Sequence, residues 1–333
     1  MNITTTKLNA GALKIFVAGK LNALTAVDFH REIELIPQGT KIIFDFRELN
    51  YISSAGLSEI LVCRKKFPTM RIENMRREVY MLFLMTGFDE FIPIALTENI
   101  SVRVDVSFKK FLRDKAIYSE EEIFVIGAGE EHTWQNIEHG SKVIANELHK
   151  AGVQQNDSVA ICGANSINWL QAFFAVQRIG ALAVLVDCNL SAEKIGALVN
   201  AAGVTHFLYG EMPAATDEKI FLYELQKFSG GKIQSFHSFR DDLDFKARLA
   251  GKSKFHVIVR AEDPAVMIFN ADGSNEILSA EKILQAAQSH LQEKNLSANE
   301  KFSVNESFGS FQGLVEIFAG AIAGAKLSFE KNS

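Results

Sequence analysis

Cysteine is scarce in this chain. Cys63, Cys162 and Cys188 are the three among 333 residues, odd in number and far apart, with no C-x-x-C and no Cys/His spacing. That excludes a disulfide framework and a zinc module, and it predicts buried thiols in a reducing compartment. Long apolar runs are missing as well. The longest, Leu314 to Leu327, is too short to span a bilayer and contains Glu316 and Lys326. The first residues, Met-Asn-Ile-Thr-Thr-Thr-Lys, hold no signal core. Positive charge is not in excess, and a formal net charge of -5 gives no general attraction to nucleic acid or anionic membranes. These absences predict a cytoplasmic protein with no membrane span and no nucleic-acid partner.

Motifs of common chemistry are missing too. The eight histidines show no metal-ligand spacing, although His132 and His139, seven apart, are placed to share a helix face. No Gly-x-Ser-x-Gly occurs. Gly127-Ala128-Gly129 lacks the third glycine of a dinucleotide fingerprint and reads as a hairpin turn. Neither a metal nor a cofactor is expected. One basic cluster, Arg64, Lys65, Lys66, Arg71, Arg76 and Arg77, runs against the acidic balance and reads as a solvated face around a helix end.

What is present is a repeated strand and helix rhythm. With 47% hydrophobic and 23% charged residues, the chain can bury two cores and stay soluble. From residue 13 to about 95 the pattern predicts strands at Leu13–Val17, Lys41–Phe46, Met70–Ile72 and Ile92–Ile94. Helices are predicted between them, at Ala26–Leu35, Ala55–Lys66 and Arg76–Met85. Residues 99–122 read as a linker with a helix near Phe108. A second rhythm follows, with a long helix from His132 through His149. Apolar strands are then predicted at Ser158–Gly163, Ala181–Val186 and His206–Tyr209, alternating with helices at Ser166–Ile179 and Ala192–Ala201. Helices between short apolar strands imply a parallel sheet covered on both faces. Residues 212–260 read as irregular, with a turn at Ser229-Gly230-Gly231. The fold class is therefore α/β, with domains at 1–98 and 123–333.

The most informative stretch is Tyr51-Ile52-Ser53-Ser54-Ala55-Gly56-Leu57, between a buried strand and a helix start. Unpaired N–H groups and a positive dipole end make such a place fit for capping or for a phosphate. Asp45 through Leu57, followed by Thr86-Gly87-Phe88, closely resembles the STAS domain, the fold of anti-sigma-factor antagonists. Gly19-Lys20-Leu21-Asn22-Ala23 sits at the family's first turn, with Asn22 where aspartate is usual. The resemblance implies a mixed sheet with helices over roughly residues 8–95. It also implies a protein partner, an anti-sigma factor that doubles as a serine kinase, and phosphorylation at Ser54 rather than Ser53. The implied partner surface comprises Asn22, Ser53, Ser54 and Gly56, the glycine leaving room for a partner's backbone. A phosphate there would add bulk and negative charge. The bland reading is that both serines only cap the helix, worth about 1 kcal/mol.

Residues 132–210 resemble the N-terminal part of the adenylate-forming enzymes, the acyl-CoA synthetase and AMP-ligase superfamily. Thr133-Trp134-Gln135-Asn136-Ile137, Gly152 to Ala160, Asn165-Ser166-Ile167-Asn168-Trp169 and Gly180-Ala181 carry the likeness. Phe308-Gly309 and Ala323 to Leu327 add to it. The resemblance implies a parallel three-layer α/β domain. Asp263-Pro264-Ala265 opens the strand before the family's phosphate-gripping loop. The loop here, Asn270, Ala271, Asp272, Gly273, Ser274 and Asn275, has one glycine and no Pro-Lys-Gly, whereas a phosphate cradle needs glycines and positive charge. Asp272 and Glu276 would repel a triphosphate. The chain given also ends before the family's adenine-binding motif and lid. The expectation is a degenerate, truncated domain with no catalytic residue, tied to a regulatory STAS module. The alternatives are a sensor for a nucleotide, acyl chain or CoA-like ligand, and a subunit of an acyl-activating assembly completed by another chain.

Overall fold

The computed structural model describes residues 1–8, 11–90, 92–96, 106–119, 122–127, 129–213, 216–239, 257–270 and 272–329. The chain divides into two compact units, Met1–Ser101 and Val102–Ser333.

In the first unit the strands are β1 (Asn2–Lys7), β2 (Leu13–Leu21), β3 (Ile42–Asp45), β4 (Leu49–Ile52), β5 (Arg71–Met75) and β6 (Ile94–Leu96). The helices are α1 (Ala23–Glu34), α2 (Ser54–Lys66) and α3 (Arg77–Met85). The sheet runs β1-β2-β3-β5-β6, with β4 pairing β2 off that path. β1 is antiparallel to β2, and the other pairings are parallel. Ile15, Val17, Phe44 and Ile72 point to one face and join Phe29, Ile60 and Phe83 of the three helices in a single core. Side chains alternate along a strand, so Lys14, Phe16, Asp45 and Glu73 belong to the opposite face. Strands β1 and β4 were not anticipated. The serines thus follow β4 and not the apolar strand β3.

The basic cluster is not merely solvated. Lys66 Nζ donates to the carbonyls of Ile33 (3.1 Å) and Glu34 (3.0 Å) at the end of α1. Arg71 pairs with Glu73, and Arg76 Nε donates to the Arg47 carbonyl at 3.0 Å.

The second unit opens with α4 (Phe108–Tyr118), inside the stretch read as a linker. Its Phe108, Phe111 and Leu112 are buried in that unit's main core. Next come β7 (Ile123–Gly127), β8 (Glu130–Thr133), α5 (Trp134–Lys150), β9 (Ser158–Cys162), α6 (Ile167–Ile179), β10 (Leu182–Val186), α7 (Ala192–Ala201) and β11 (His206–Tyr209). Then follow α8 (Glu218–Phe228), β12 (Ser235–Ser238), β13 (Pro264–Phe269), β14 (Asn275–Ser279), α9 (Ala280–Lys294), β15 (Lys301–Ser303), α10 (Phe311–Ala323) and β16 (Lys326–Ser328).

The larger sheet runs β12-β11-β9-β10-β13-β14, parallel except for the antiparallel edge strand β14. A smaller sheet runs β15-β16-β7-β8. Alternate residues of the central strands divide between two cores. Val159, Ile161, Ala183 and Leu185 join the α6 side, whereas Ala160, Cys162, Val184 and Val186 join the α7 and α8 side. That division is the three-layer α/β architecture. Glycines 127 and 129 flank the β7–β8 hairpin, as the sequence suggested; Ala128 lies outside the described residues.

Three expectations change. Within 212–260, α8 and β12 are regular elements, with apolar Phe221 and Leu225 anchoring the helix. His132 lies in β8, because the capping box of Thr133 and Asn136 starts α5 only at Trp134. It therefore shares no helix face with His139. Cys63 and Cys162 are buried, but Cys188 is only half-buried. Among the described residues no helix is long and apolar enough to cross a membrane.

Candidate functional site

Strands β2 and β4 run parallel, with Leu21 paired to Ile52 at their ends. The next residue of each, Asn22 and Ser53, caps the following helix, so α1 and α2 start side by side. Asn22 takes an extended backbone, and its Oδ1 accepts the N–H groups of Leu24 (3.1 Å) and Thr25 (3.2 Å). Thr25 Oγ1 accepts the Asn22 N–H at 2.9 Å, completing a capping box. Ser53 Oγ accepts the Gly56 N–H at 3.4 Å, and the Ser53 N–H donates to the Leu21 carbonyl at 3.0 Å. Asn22 and Ser53 are thus both engaged in holding their helices.

Ser54 differs from its neighbour. It is the first residue of α2 and is exposed. Its carbonyl accepts the Ser58 hydroxyl at 3.0 Å, and its own hydroxyl has no partner among the described residues. Gly56 is buried. A Cβ built there would lie 2.5 Å from the Leu21 carbonyl oxygen and 2.8 Å from Ile52 Cγ1. The backbone that needs the glycine is the chain's own β2.

Sequence reading missed the apolar residues beside this seam. Leu24 and Val27 on α1 are 85% and 61% exposed, and Tyr51, just before the second helix start, is also exposed. The signal was available: Ala26, Phe29 and Ile33 already fill the inner face of α1, so Leu24 and Val27 fall outside it.

A second set of charges lies on the other face of the sheet. Asp45, its side chain fully buried, accepts from Arg47 Nε (2.9 Å) and Nη2 (2.7 Å), from Asn74 Nδ2 (2.8 Å), and pairs with Lys14 (3.2 Å). Burial alone would push this carboxyl up, but the hydrogen bonds from Arg47, Asn74 and Lys14 outweigh it and hold it at about 2. Lys14 also pairs with Glu73 at 3.0 Å. Arg47, Phe16 and Asp45 border a cavity of about 160 Å³. The charged residue within an apolar strand was the sequence signal for this network.

In the second unit, the stretch read as a degenerate phosphate loop is a hairpin turn between β13 and β14. The Asn270 N–H donates to the Ser274 carbonyl (2.8 Å), and the Gly273 N–H donates to the Asn270 carbonyl (3.0 Å). Ser274 donates its N–H (2.9 Å) and its hydroxyl (2.6 Å) to Asp272 Oδ1. Those bonds hold the Asp272 carboxyl below its ordinary range. Both donors of Ser274 are thus satisfied by the loop's own acid. Ala271 lies outside the described residues, and Asn275 is not in the loop but opens β14. Glu276 pairs with Lys282 at 2.5 Å. Elsewhere, buried Asn165 latches two segments: its Nδ2 donates to the Glu306 carbonyl (2.9 Å), and its Oδ1 accepts the Phe308 N–H (2.8 Å).

Comparison with known proteins agrees with this division. Residues 4–100 match the STAS domain family, and residues 112–270 match the AMP-binding enzyme family. Over 202 residues, 61% of its length, the chain is 21% identical to nonribosomal peptide synthetase dtxS1 of Metarhizium robertsii, of which it spans 2%. Among solved structures it is similar to the N-terminal domain of FACL13 from Mycobacterium tuberculosis (TM-score 0.60, 16% identity). It is also similar to a long-chain-fatty-acid CoA ligase from Rhodopseudomonas palustris (TM-score 0.58, 20% identity). The likeness covers 68% and 69% of this chain, respectively, and 58% of each of those chains. At such identities it speaks for the fold alone. Two families meet in one polypeptide: the chain carries a STAS domain at residues 4–100, followed at residues 112–270 by a domain that matches the AMP-binding enzyme family.

Proposed function

We propose that this is a regulatory, non-enzymatic protein whose STAS domain docks a protein partner at the paired starts of α1 and α2, with phosphorylation of Ser54 releasing it. The observation that carries the reading is the contrast between the serines. Ser53 is used as a cap, while Ser54 is exposed with no partner for its hydroxyl among the described residues. A kinase can reach Ser54 without unfolding the helix start. The phosphate would bring nearly two negative charges beside Leu24, Tyr51 and the caps, and would oppose an acidic partner. In this reading the partner is an anti-sigma factor with serine-kinase activity. Asn22 and Ser53 shape the surface from beneath, and Gly56 supports it from within.

The adenylate-forming domain serves as an inactive scaffold in this reading, supported by the closed Asn270–Ser274 turn. Asp272 repels phosphate and occupies Ser274's donors, leaving transition-state charge without its usual stabilisation. The test is phosphorylation by the host's serine kinases, with mapping of the modified residue, and pull-downs with Ser54→Ala and Ser54→Asp forms. The reading requires modification at Ser54, partner retention by the alanine form and loss by the aspartate form. Modification elsewhere, or equal binding by both forms, sinks it.

One observation favours a second reading, a ligand sensor. The helices that follow β9 and β10 lie on opposite faces of the sheet. A crevice outside the carboxyl ends of such strands is where parallel sheets take small ligands. Calorimetry with ATP, AMP, CoA and acyl adenylates tests it, and silence across the set removes it.

A further inference from the structure

The sheet of the first unit ends on an open strand. Among the described residues β1 pairs with β2 alone, and every residue of it except Ile3 is exposed. Its register is unbroken, from Asn2 opposite Ala18 to Lys7 opposite Leu13. One step beyond, the Leu8 N–H donates to the Ala12 carbonyl at 2.8 Å. In an antiparallel ladder the residues that bond across the pair alternate. Asn2, Thr4 and Thr6 therefore share the inward direction of Leu8. Ile3, Thr5 and Lys7 turn their N–H and C=O groups away from the sheet.

Strand edges are usually guarded by proline, a bulge or repeated charge. β1 has neither of the first two, and its only charge is Lys7 at one end. We propose that this edge pairs antiparallel with the same edge of a second copy, so that the sheet continues across a two-fold axis at Thr5. The outward groups then meet in register. Thr5 lies opposite Thr5 of the second copy, and Ile3 lies opposite its Lys7. On the other face Thr4 meets Thr6, a pair suited to cross-strand contact.

The segment is its own complement, which is why a second copy and not a foreign strand is the occupant. Two-fold pairing sets the two Lys7 residues four positions apart along the strand, about 13 Å. That exceeds the screening length of about 8–10 Å in ordinary salt. A parallel alignment in the same register would instead place lysine beside lysine. The contact is independent of Ser54, which lies beyond the other end of the β2–β4 pairing.

The direction of each N–H supplies the test. The full chain is weighed by sedimentation equilibrium over a wide concentration range, and a dimer is expected. Thr5→Pro removes an outward N–H while sparing the ladder to β2. It should weaken dimerisation by roughly tenfold or more with an unchanged far-ultraviolet spectrum and melting point. Thr4→Pro removes an inward N–H and should lower the melting point. Thr5→Lys and Thr5→Glu chains should each be monomeric, and an equal mixture should dimerise again. If Thr5→Pro fails to fold, the charge-swapped pair decides. A wild-type chain that stays monomeric, or a dimer indifferent to Thr5→Pro and Thr5→Lys, overturns the proposal.

Discussion

Replacing Gly56 by alanine separates two roles for this glycine, room for a partner or room for the chain's own backbone. The added methyl would meet the Leu21 carbonyl oxygen at 2.5 Å, Ile52 Cγ1 at 2.8 Å and Leu21 Cγ at 2.9 Å. The carbonyl is the neighbour that cannot yield. It accepts the Ser53 N–H at 3.0 Å, and its strand is held by pairing to β4. To reach ordinary contact near 3.5 Å the first turn of α2 would have to retreat by about 1 Å. Overpacking of this kind costs about 1–3 kcal/mol. Alanine returns at most about 1 kcal/mol in helix propensity, and less in a first turn. The net expectation is a loss of about 1–2 kcal/mol, or a melting point lower by about 5–15 °C for a unit of this size.

Calorimetry of the full chain can assign that loss. Both tryptophans, Trp134 and Trp169, lie in the second unit, so their fluorescence transition should stay in place while the first unit's heat-absorption peak moves down. A Gly56→Ala protein that melts normally but no longer binds its partner would refute the packing account. So would one stabilised by about 1 kcal/mol, the ordinary effect of filling a helix glycine.

Acid should expose the Asp45 network. Its carboxyl titrates at about 2 when folded against an ordinary 3.8, so its contribution is complete above pH 4 and disappears as pH falls through 2. The shift corresponds to at most about 2.4 kcal/mol, and to about 1 kcal/mol after allowing for screening of the half-exposed Arg47. Urea titrations at several pH values should show Asp45→Asn less stable at neutral pH by that amount and flatter towards acid; parallel curves would discount the network. The cysteines offer a reading of local opening. Burial pushes the Cys63 thiol up to about 12 and also raises Cys162 and, in its less enclosed place, Cys188. At pH 8 about one Cys63 in 10⁴ is a thiolate, so alkylation followed by mass spectrometry should mark Cys188 first and the other two only on unfolding. Early labelling of Cys63 would contradict its burial.

Much of the architecture was written in local pattern. The α5, α6 and α7 helices and the β9, β10 and β11 strands carry strong apolar periodicity, and their buried faces follow it. β1 was missed because Ile-Thr-Thr-Thr has one apolar residue and gains its structure from pairing with β2. β4 was missed because Leu49 and Ile52 are its only buried residues. α8 lay in a stretch read as irregular, although Phe221 and Leu225 repeat at helical spacing. At the seam, the residue types did not reveal how the structure divides their roles. The STAS resemblance put Asn22, Ser53, Ser54 and Gly56 together as one surface. Only the folded chain distinguishes a hydroxyl used as a cap from one left exposed, or a glycine facing outward from one pressed on Leu21. The Asn270–Ser274 turn was legible as poor in glycine and acidic; that Asp272 binds Ser274 was not.

The side-by-side starts of α1 and α2 have an electrostatic consequence. Neither first turn contains an acidic residue. Each helix start is equivalent to about half a positive charge, so two of them converging give close to one unit with no lysine or arginine in either first turn. A doubly charged group on Ser54 would therefore do more than add repulsion. It would reverse the sign of the patch, from attracting an acidic surface to rejecting it, while settling comfortably on the helix it modifies.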